Sequence, residues 1–216
     1  MSTPMLFEFL HATWQTIYMV VISGLIATLL GLPLGIVLLI TRNSHISENK
    51  YVNIIMGGIV NAVRSIPFII LLVALIPFTR LIVGTSIGTT AAIIPLSIAA
   101  IPFFGRVVES ALNEVSQGLI EVGNAMGATP LQIIKKILIP EAMPSIVNGI
   151  TLTLINLIGY SAMAGAIGGG GLGDLAIRYG YQRFNTSVML ATIVILIIMV
   201  QCLQVAGDFI AKKIAH

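Results

Sequence analysis

The sequence predicts an all-α integral membrane protein with five transmembrane helices. Three observations carry that expectation. Charged residues make up 9% of the 216 positions, against roughly 25% in ordinary soluble domains. Hydrophobic residues make up 57% and the mean hydropathy is +1.04, more apolar surface than a soluble fold of this size can hide. The uncharged runs are also long enough for the ~20 apolar residues that a bilayer-spanning helix needs. The same composition excludes a disordered chain, a disulfide scaffold (Cys202 is the single cysteine) and a zinc-finger protein. The pI of about 9.2 reads as cationic loops retained on the cytoplasmic side, with no nucleic-acid partner.

The elements follow in chain order. No charge falls between Glu8 and Arg42, leaving 33 residues, and a span is expected near 17–40. It lacks the basic start and early small-residue cleavage site of a signal peptide, and Trp14 and Tyr18 suit an interfacial aromatic belt. The stretch from Tyr51 to Arg80 is interrupted by Arg64. It is read as a span over 58–79, with Arg64 near its start and snorkelling toward the cytoplasmic face. Alternatively the helix begins at Ser65-Ile66-Pro67, with proline in its first turn. Runs of 25, 32 and 24 uncharged residues follow Arg80, Glu141 and Arg183. They place spans near 88–108, 144–166 and 187–209, so the membrane domain covers 13–209.

Basic residues set the orientation. With the C-terminus inside, Arg42, Lys50, Arg64, Arg106, Lys135, Lys136, Lys212 and Lys213 are cytoplasmic, against Arg80, Arg178 and Arg183 outside. That asymmetry predicts an external N-terminus and a cytoplasmic C-terminus.

Two non-spanning segments stand out. The longer, 116–140 within a cytoplasmic stretch, reads as two short helices. Leu119, Ile120, Val122, Gly123 and Met126 fit one apolar face. Gly127 is a natural C-terminal stop. Thr129 caps a second helix with Pro130 at its first position and Gln132 closing a capping box. Ile133, Ile134, Ile137 and Leu138 form its stripe, and Pro140 and Pro144 are expected to end it before the next span. Such short helices need burial by other parts of a fold or assembly. They would lie on the lipid surface or plug a groove on a soluble partner. The second segment, 167–186, opens with glycines 168–171. No Gly-Lys-Ser/Thr follows, so it is not a phosphate loop, and it is read as a flexible external turn.

Glu121, Gly127, Ile137 and Pro140 carry a resemblance. Their spacing resembles the EAA loop of binding-protein-dependent ABC import permeases: Glu-Ala-Ala, three residues, Gly, nine residues, Ile-x-Leu-Pro. Val122 and Gly123 stand for the alanines and Ile139 for the leucine. In that family the loop docks into a cleft of the ATPase subunit. Ala128, Thr129 and Pro130 belong to the same implied coupling set. Arg64-Ser65-Ile66-Pro67-Phe68, Ala125-Met126-Gly127-Ala128-Thr129-Pro130 and Gly159-Tyr160-Ser161-Ala162-Met163 resemble the methionine-importer branch of the family. The resemblance covers 14–208. It implies a type I ABC importer permease fold in the bacterial inner membrane and a homodimer. It also implies two ATPase subunits that bind ATP and Mg, an external methionine-binding lipoprotein, and methionine of either hand as cargo. No cofactor or metal is expected in this chain. Another small solute is the nearest alternative.

Chemistry elsewhere is sparse. An intramembrane hydrolase at Ser161 would need a base at membrane depth, but His11, His45 and His216 fall outside the expected spans. No enzymatic activity is expected. An ion-coupled carrier usually holds ionisable groups mid-membrane. None of the eight acids, Glu8, Glu48, Glu109, Glu114, Glu121, Glu141, Asp174 and Asp208, lies well inside an expected span. The fourth span is rich in small residues, which allow close helix approach. Two copies would pack around an axis near it, with Tyr160, Ser161 and Met163 as pathway candidates and Met163 as the gate. Asn61 and Gln201 are polar at membrane depth and suit interhelical hydrogen bonds or a pathway. Cys202 is read as inert packing.

Overall fold

The computed structural model describes residues 3–43 and 46–215. His45 and His216 lie outside the described residues. All regular structure among those described is helical: α1 Thr3–Ile40, α2 Lys50–Ser65, α3 Phe68–Ala74, α4 Ile76–Val83, α5 Thr89–Asn113, α6 Gln117–Ala125, α7 Pro130–Ile133, α8 Ile139–Ala164, α9 Gly171–Leu175 and α10 Thr186–Ile214. Four helical stretches are long and apolar enough to cross a membrane, and a fifth span is possible from the bent pair α2–α3.

α1 and α5 form the spine. Gly31 and Gly35 lie one turn apart on α1, and Gly105 faces them from α5. A Cβ on Gly31 would meet the Phe104 ring at 2.9 Å, and one on Gly105 would meet Leu34 Cδ2 at 2.9 Å. Small residues at this spacing let the two backbones approach and recover dispersion energy where lipid supplies no hydrophobic drive. α8 packs beside α5, and α10 packs on α8, with Gly207 facing Thr151. Three apolar clusters run along the bundle. One joins Phe9 and Ala12 to Leu172, Leu175 and Val188. The middle one is built on Met19, Leu96 and Leu157. The third holds Phe104, Leu112, Ile133 and Leu138. α10 presents Leu190, Ile193, Val194, Ile197 and Ile198 outward, the arrangement of a lipid-facing helix.

Several expectations are revised. The first helix begins at Thr3, well before 17, so His11 is helical, exposed and stacked against Phe7. The segment 58–79 is not one straight helix. α2 and α3 are bent by 101° at Ser65-Ile66-Pro67. Pro67 supplies no N–H and holds its predecessor extended, with Ile66 at φ −81° and ψ 123°. The first reading of Arg64 is thereby displaced, since it lies in the last turn of α2; a new helix does begin at this point, with Pro67 at its N-cap and Phe68 as its first residue. Pro140 and Pro144 do not end a helix. α7 runs through a π-helical turn, Ile134–Leu138, directly into α8. Widening the turn before Pro140 is a recognised way to accommodate missing donors inside a span.

The glycine-rich segment is a folded element, not a flexible turn. Gly171, Leu172, Gly173 and Leu175 are buried in α9, which lies between π-helical turns 165–169 and 176–181. Its first N–H groups are capped from α1: Gly171 donates to Gln15 Oε1 (2.8 Å) and Leu172 to Thr16 Oγ1 (2.9 Å). A Cβ on Gly173 would run into the Ala162 carbonyl.

Candidate functional site

Two regions gather the residues singled out by sequence. The first is the tip formed by α6 and α7. α6 ends as expected. Gly127 has φ +74°, its N–H donates to Asn124 O (2.9 Å), and Ala128 N–H donates to Gly123 O (3.0 Å). These are the two bonds of a Schellman cap. Thr129 then caps α7. Its Oγ1 accepts from Gln132 N (3.4 Å), and its own N–H donates to Gln132 Oε1 (2.8 Å). Pro130 takes the first position. Ile137 packs against Gly123, where a Cβ would lie 2.9 Å from Ile137 Cδ1. Pro140 is exposed at the start of α8.

The single apolar face read on α6 divides in two. Ile120 and Gly123 turn inward onto Ile133 and Ile137. Leu119, Val122 and Met126 point away from the bundle, Met126 being 81% exposed. Exposed Glu121 stands beside them, and Leu131 adds to the same tip. Periodicity could not separate the two sets, since a short helix can be apolar nearly all round. The tip is therefore capped at both turns and apolar where it meets nothing of its own chain.

The second region is an exposed stripe of α8 and the π-helical turn after it: Asn148, Leu152, Gly159 and Met163, then Ala166. Of the three pathway candidates, Met163 alone is exposed. Tyr160 is half-buried and stacks on Phe68, with centroids 4.5 Å apart and planes 8° from parallel. Ser161 is buried, and its hydroxyl donates to Ile158 O (2.7 Å). Ser161 is thus a packing residue, and the structure does not bring it to the stripe. Polar groups gather toward the α6–α7 end. Arg106 pairs with Glu109 (2.6 Å) and donates to Gly57 O (3.2 Å) and Asn61 Oδ1 (3.0 Å). Asn61 is therefore an interhelical partner. Glu109, expected just beyond a span, is buried within α5 and neutralised by this pair. Beside them an open groove of about 410 Å³ is lined by Arg64, Ser110, Glu114, Ser145 and Asn148.

The chain matches the family described as "Binding-protein-dependent transport system inner membrane component" over residues 27–216. The chain belongs to this family. It is 55% identical over 207 residues to a Vibrio cholerae protein named "Probable D-methionine transport system permease protein MetI", covering 96% of this chain and 92% of that one. It is 53% identical over 165 residues to the Escherichia coli K12 protein named "D-methionine transport system permease protein MetI", covering 76% of each. A chain of the solved "MetNI methionine ABC transporter" in an inward-facing conformation superposes with a TM-score of 0.99 at 50% identity, covering 100% of both chains. A more distant amino acid ABC transporter, at 17% identity and TM-score 0.79, shares the fold. This chain is accordingly an inner-membrane permease component of the type I import class.

Outside the candidate spans, Arg178 is held to Asp174, which accepts from Nε through both carboxylate oxygens (2.8 Å each). That hydrogen bond raises the Arg178 pKa above its ordinary value. No group of three or more His, Cys, Asp or Glu among the described residues is arranged to hold a metal.

Proposed function

We propose that this chain carries methionine, in both enantiomers, across the cytoplasmic membrane as the permease of an ATP-driven importer. The observation that carries the reading is the full-length superposition on a methionine transporter chain at 50% identity. The working assembly is a homodimer with two ATPase subunits, which bind ATP and Mg, and an extracytoplasmic methionine-binding lipoprotein. The N-terminus faces outward and the C-terminus inward, as the basic residues ask.

Glu121, Gly127, Ala128, Thr129, Pro130, Ile137 and Pro140 form the coupling segment. Leu119, Val122 and Met126 supply the apolar contact with the ATPase, and Glu121 a rim charge. ATP-driven closure of the ATPase dimer displaces this tip. Because α7 is continuous with α8, the displacement reaches the Met163 stripe without a flexible joint. The two copies of that stripe then line the pathway, with Met163 as a gate. Tyr160 and Ser161 support it from behind, one against Phe68 and the other within its own helix.

The test is reconstitution of this chain with its ATPase and binding protein in proteoliposomes. ATP-dependent uptake of labelled L- and D-methionine is expected. Uptake of a different amino acid with methionine inert would overturn the cargo while leaving the coupling mechanism standing.

A further inference from the structure

Arg64 is exposed at the end of α2, where the chain turns into the apolar α3. It lies in the last turn of α2, one residue before the bend, between Val63 and the apolar run beginning at Ile66. An ionisable side chain at membrane depth asks for a partner. Arg106 has Glu109, Asn61 and the Gly57 carbonyl. Arg64 has no hydrogen bond or ion pair with any described residue. Glu114 lines the same groove as Arg64, makes no ion pair with it, and accepts from the Ser145 hydroxyl.

Arg64 is also the one residue shared by two neighbouring cavities. On one side is the open polar groove with Ser110 and Asn148. On the other is a smaller cavity of about 120 Å³, walled by Phe68, Leu71, Phe103 and Tyr160. At about 10–15 Å³ of such space per water, it would hold about ten waters. It has room for a short unbranched side chain. A guanidinium at the mouth of a cavity walled by aromatic and aliphatic side chains, with hydroxyl and amide groups opposite, is complementary to an amphipathic amino acid. The fork of donors takes a carboxylate in bidentate fashion. The ring edges suit a thioether, and sulfur–aromatic contacts are favourable. The groove leaves the ammonium hydrated and facing polar oxygens.

We propose that Arg64 is the carboxylate-binding residue of a transient substrate site within the membrane domain, the substrate side chain lying in the cavity of Phe68, Phe103 and Tyr160. The site rests on the reading of methionine as cargo. It gives the bend at Ser65-Ile66-Pro67 a purpose, because a straight α2–α3 would not turn Arg64 to the mouth of the aromatic cavity.

The experiment uses the full complex with its ATPase in lipid nanodiscs and a diazirine-bearing methionine analogue as photolabel. Labelling is expected on peptides containing Phe68, Phe103 or Tyr160, displaced by methionine but not by methioninol, which lacks the carboxylate. Arg64→Gln should reduce it about tenfold or more, the scale of one lost hydrogen bond to a charged group. Arg64→Lys should retain part of it. ATPase co-purification with both variants checks that the complex still assembles. Methionine uptake by the wild-type complex with labelling elsewhere, equal displacement by methioninol, or labelling unchanged in Arg64→Gln would overturn the site and leave the cargo standing. An absence of methionine uptake would overturn both.

Discussion

At Gly127 the structure separates two costs that usually arrive together. Its φ of +74° is unfavourable for any residue with a Cβ, yet a Cβ there meets nothing within 4 Å. A substitution therefore carries a local strain of about 1–2 kcal/mol and no clash inside the chain. Gly84 is a matched control, at φ +82° with equally open surroundings, but at the end of α4. Gly127→Asp is expected to leave the protein in the membrane and to abolish ATPase co-purification and substrate-stimulated ATP hydrolysis. Gly84→Asp should carry the same strain and keep both. Equal behaviour of the two variants would remove the tip from the coupling mechanism. Glu121→Ala should be milder, because one exposed rim charge contributes about 0–1 kcal/mol.

The elements are tied together by a few long-range polar contacts, and α9 depends on them most. Five residues cannot hold a helix alone. Here the first turn is capped by Gln15 and Thr16 from α1, 156 positions away. Thr16→Val keeps the shape of the side chain but leaves the buried Leu172 N–H without an acceptor, at a cost of about 1–3 kcal/mol. It should lower the thermal midpoint in detergent. Gln15→Ala, at a half-buried position, should do so less. Gly173→Ala should be the most damaging of the three, since the added carbon has only the Ala162 backbone to push against. An unchanged midpoint in Thr16→Val would mean that the segment is held by Leu172 and Leu175 alone.

For the whole molecule, the pattern of burial is that of a subunit rather than a finished machine. The outward residues of α10 suit lipid, while the α8 stripe and the α6 tip leave small and apolar groups uncovered at two separate places. The buried acid of α5 is already neutralised by Arg106, which leaves no free relay for ion coupling there. The chain alone in liposomes is therefore expected to accumulate no methionine under an imposed proton or sodium gradient. Gradient-driven uptake would make it a secondary carrier. A reporter fused after the C-terminus should be cytoplasmic and a tag at the N-terminus, beside Ser2, external. Both ends reachable from outside would refute the expected orientation. Ser2 itself lies outside the described residues.

Much of this was written in local order. Membrane character, the places of four spans and the two caps around Gly127 follow from hydropathy and from contacts within a few residues. A Schellman turn and a capping box are closed by near neighbours, so their residues announce them. The EAA spacing is likewise a property of one short segment. What tertiary structure alone decided depends on residues far apart in the chain. Pro67 announces a break in the helix, but the 101° angle of that break goes with the packing of α3 against α5 and α8. The glycines at 168–171 read as a loose turn until Gln15 and Thr16 supply their acceptors. Leu119 and Ile120 are equally apolar, and the position of Ile133 and Ile137 determines which one is buried. Arg64 and Arg106 are alike as letters. The acid three positions along α5 satisfies one, and the fold leaves the other facing two cavities.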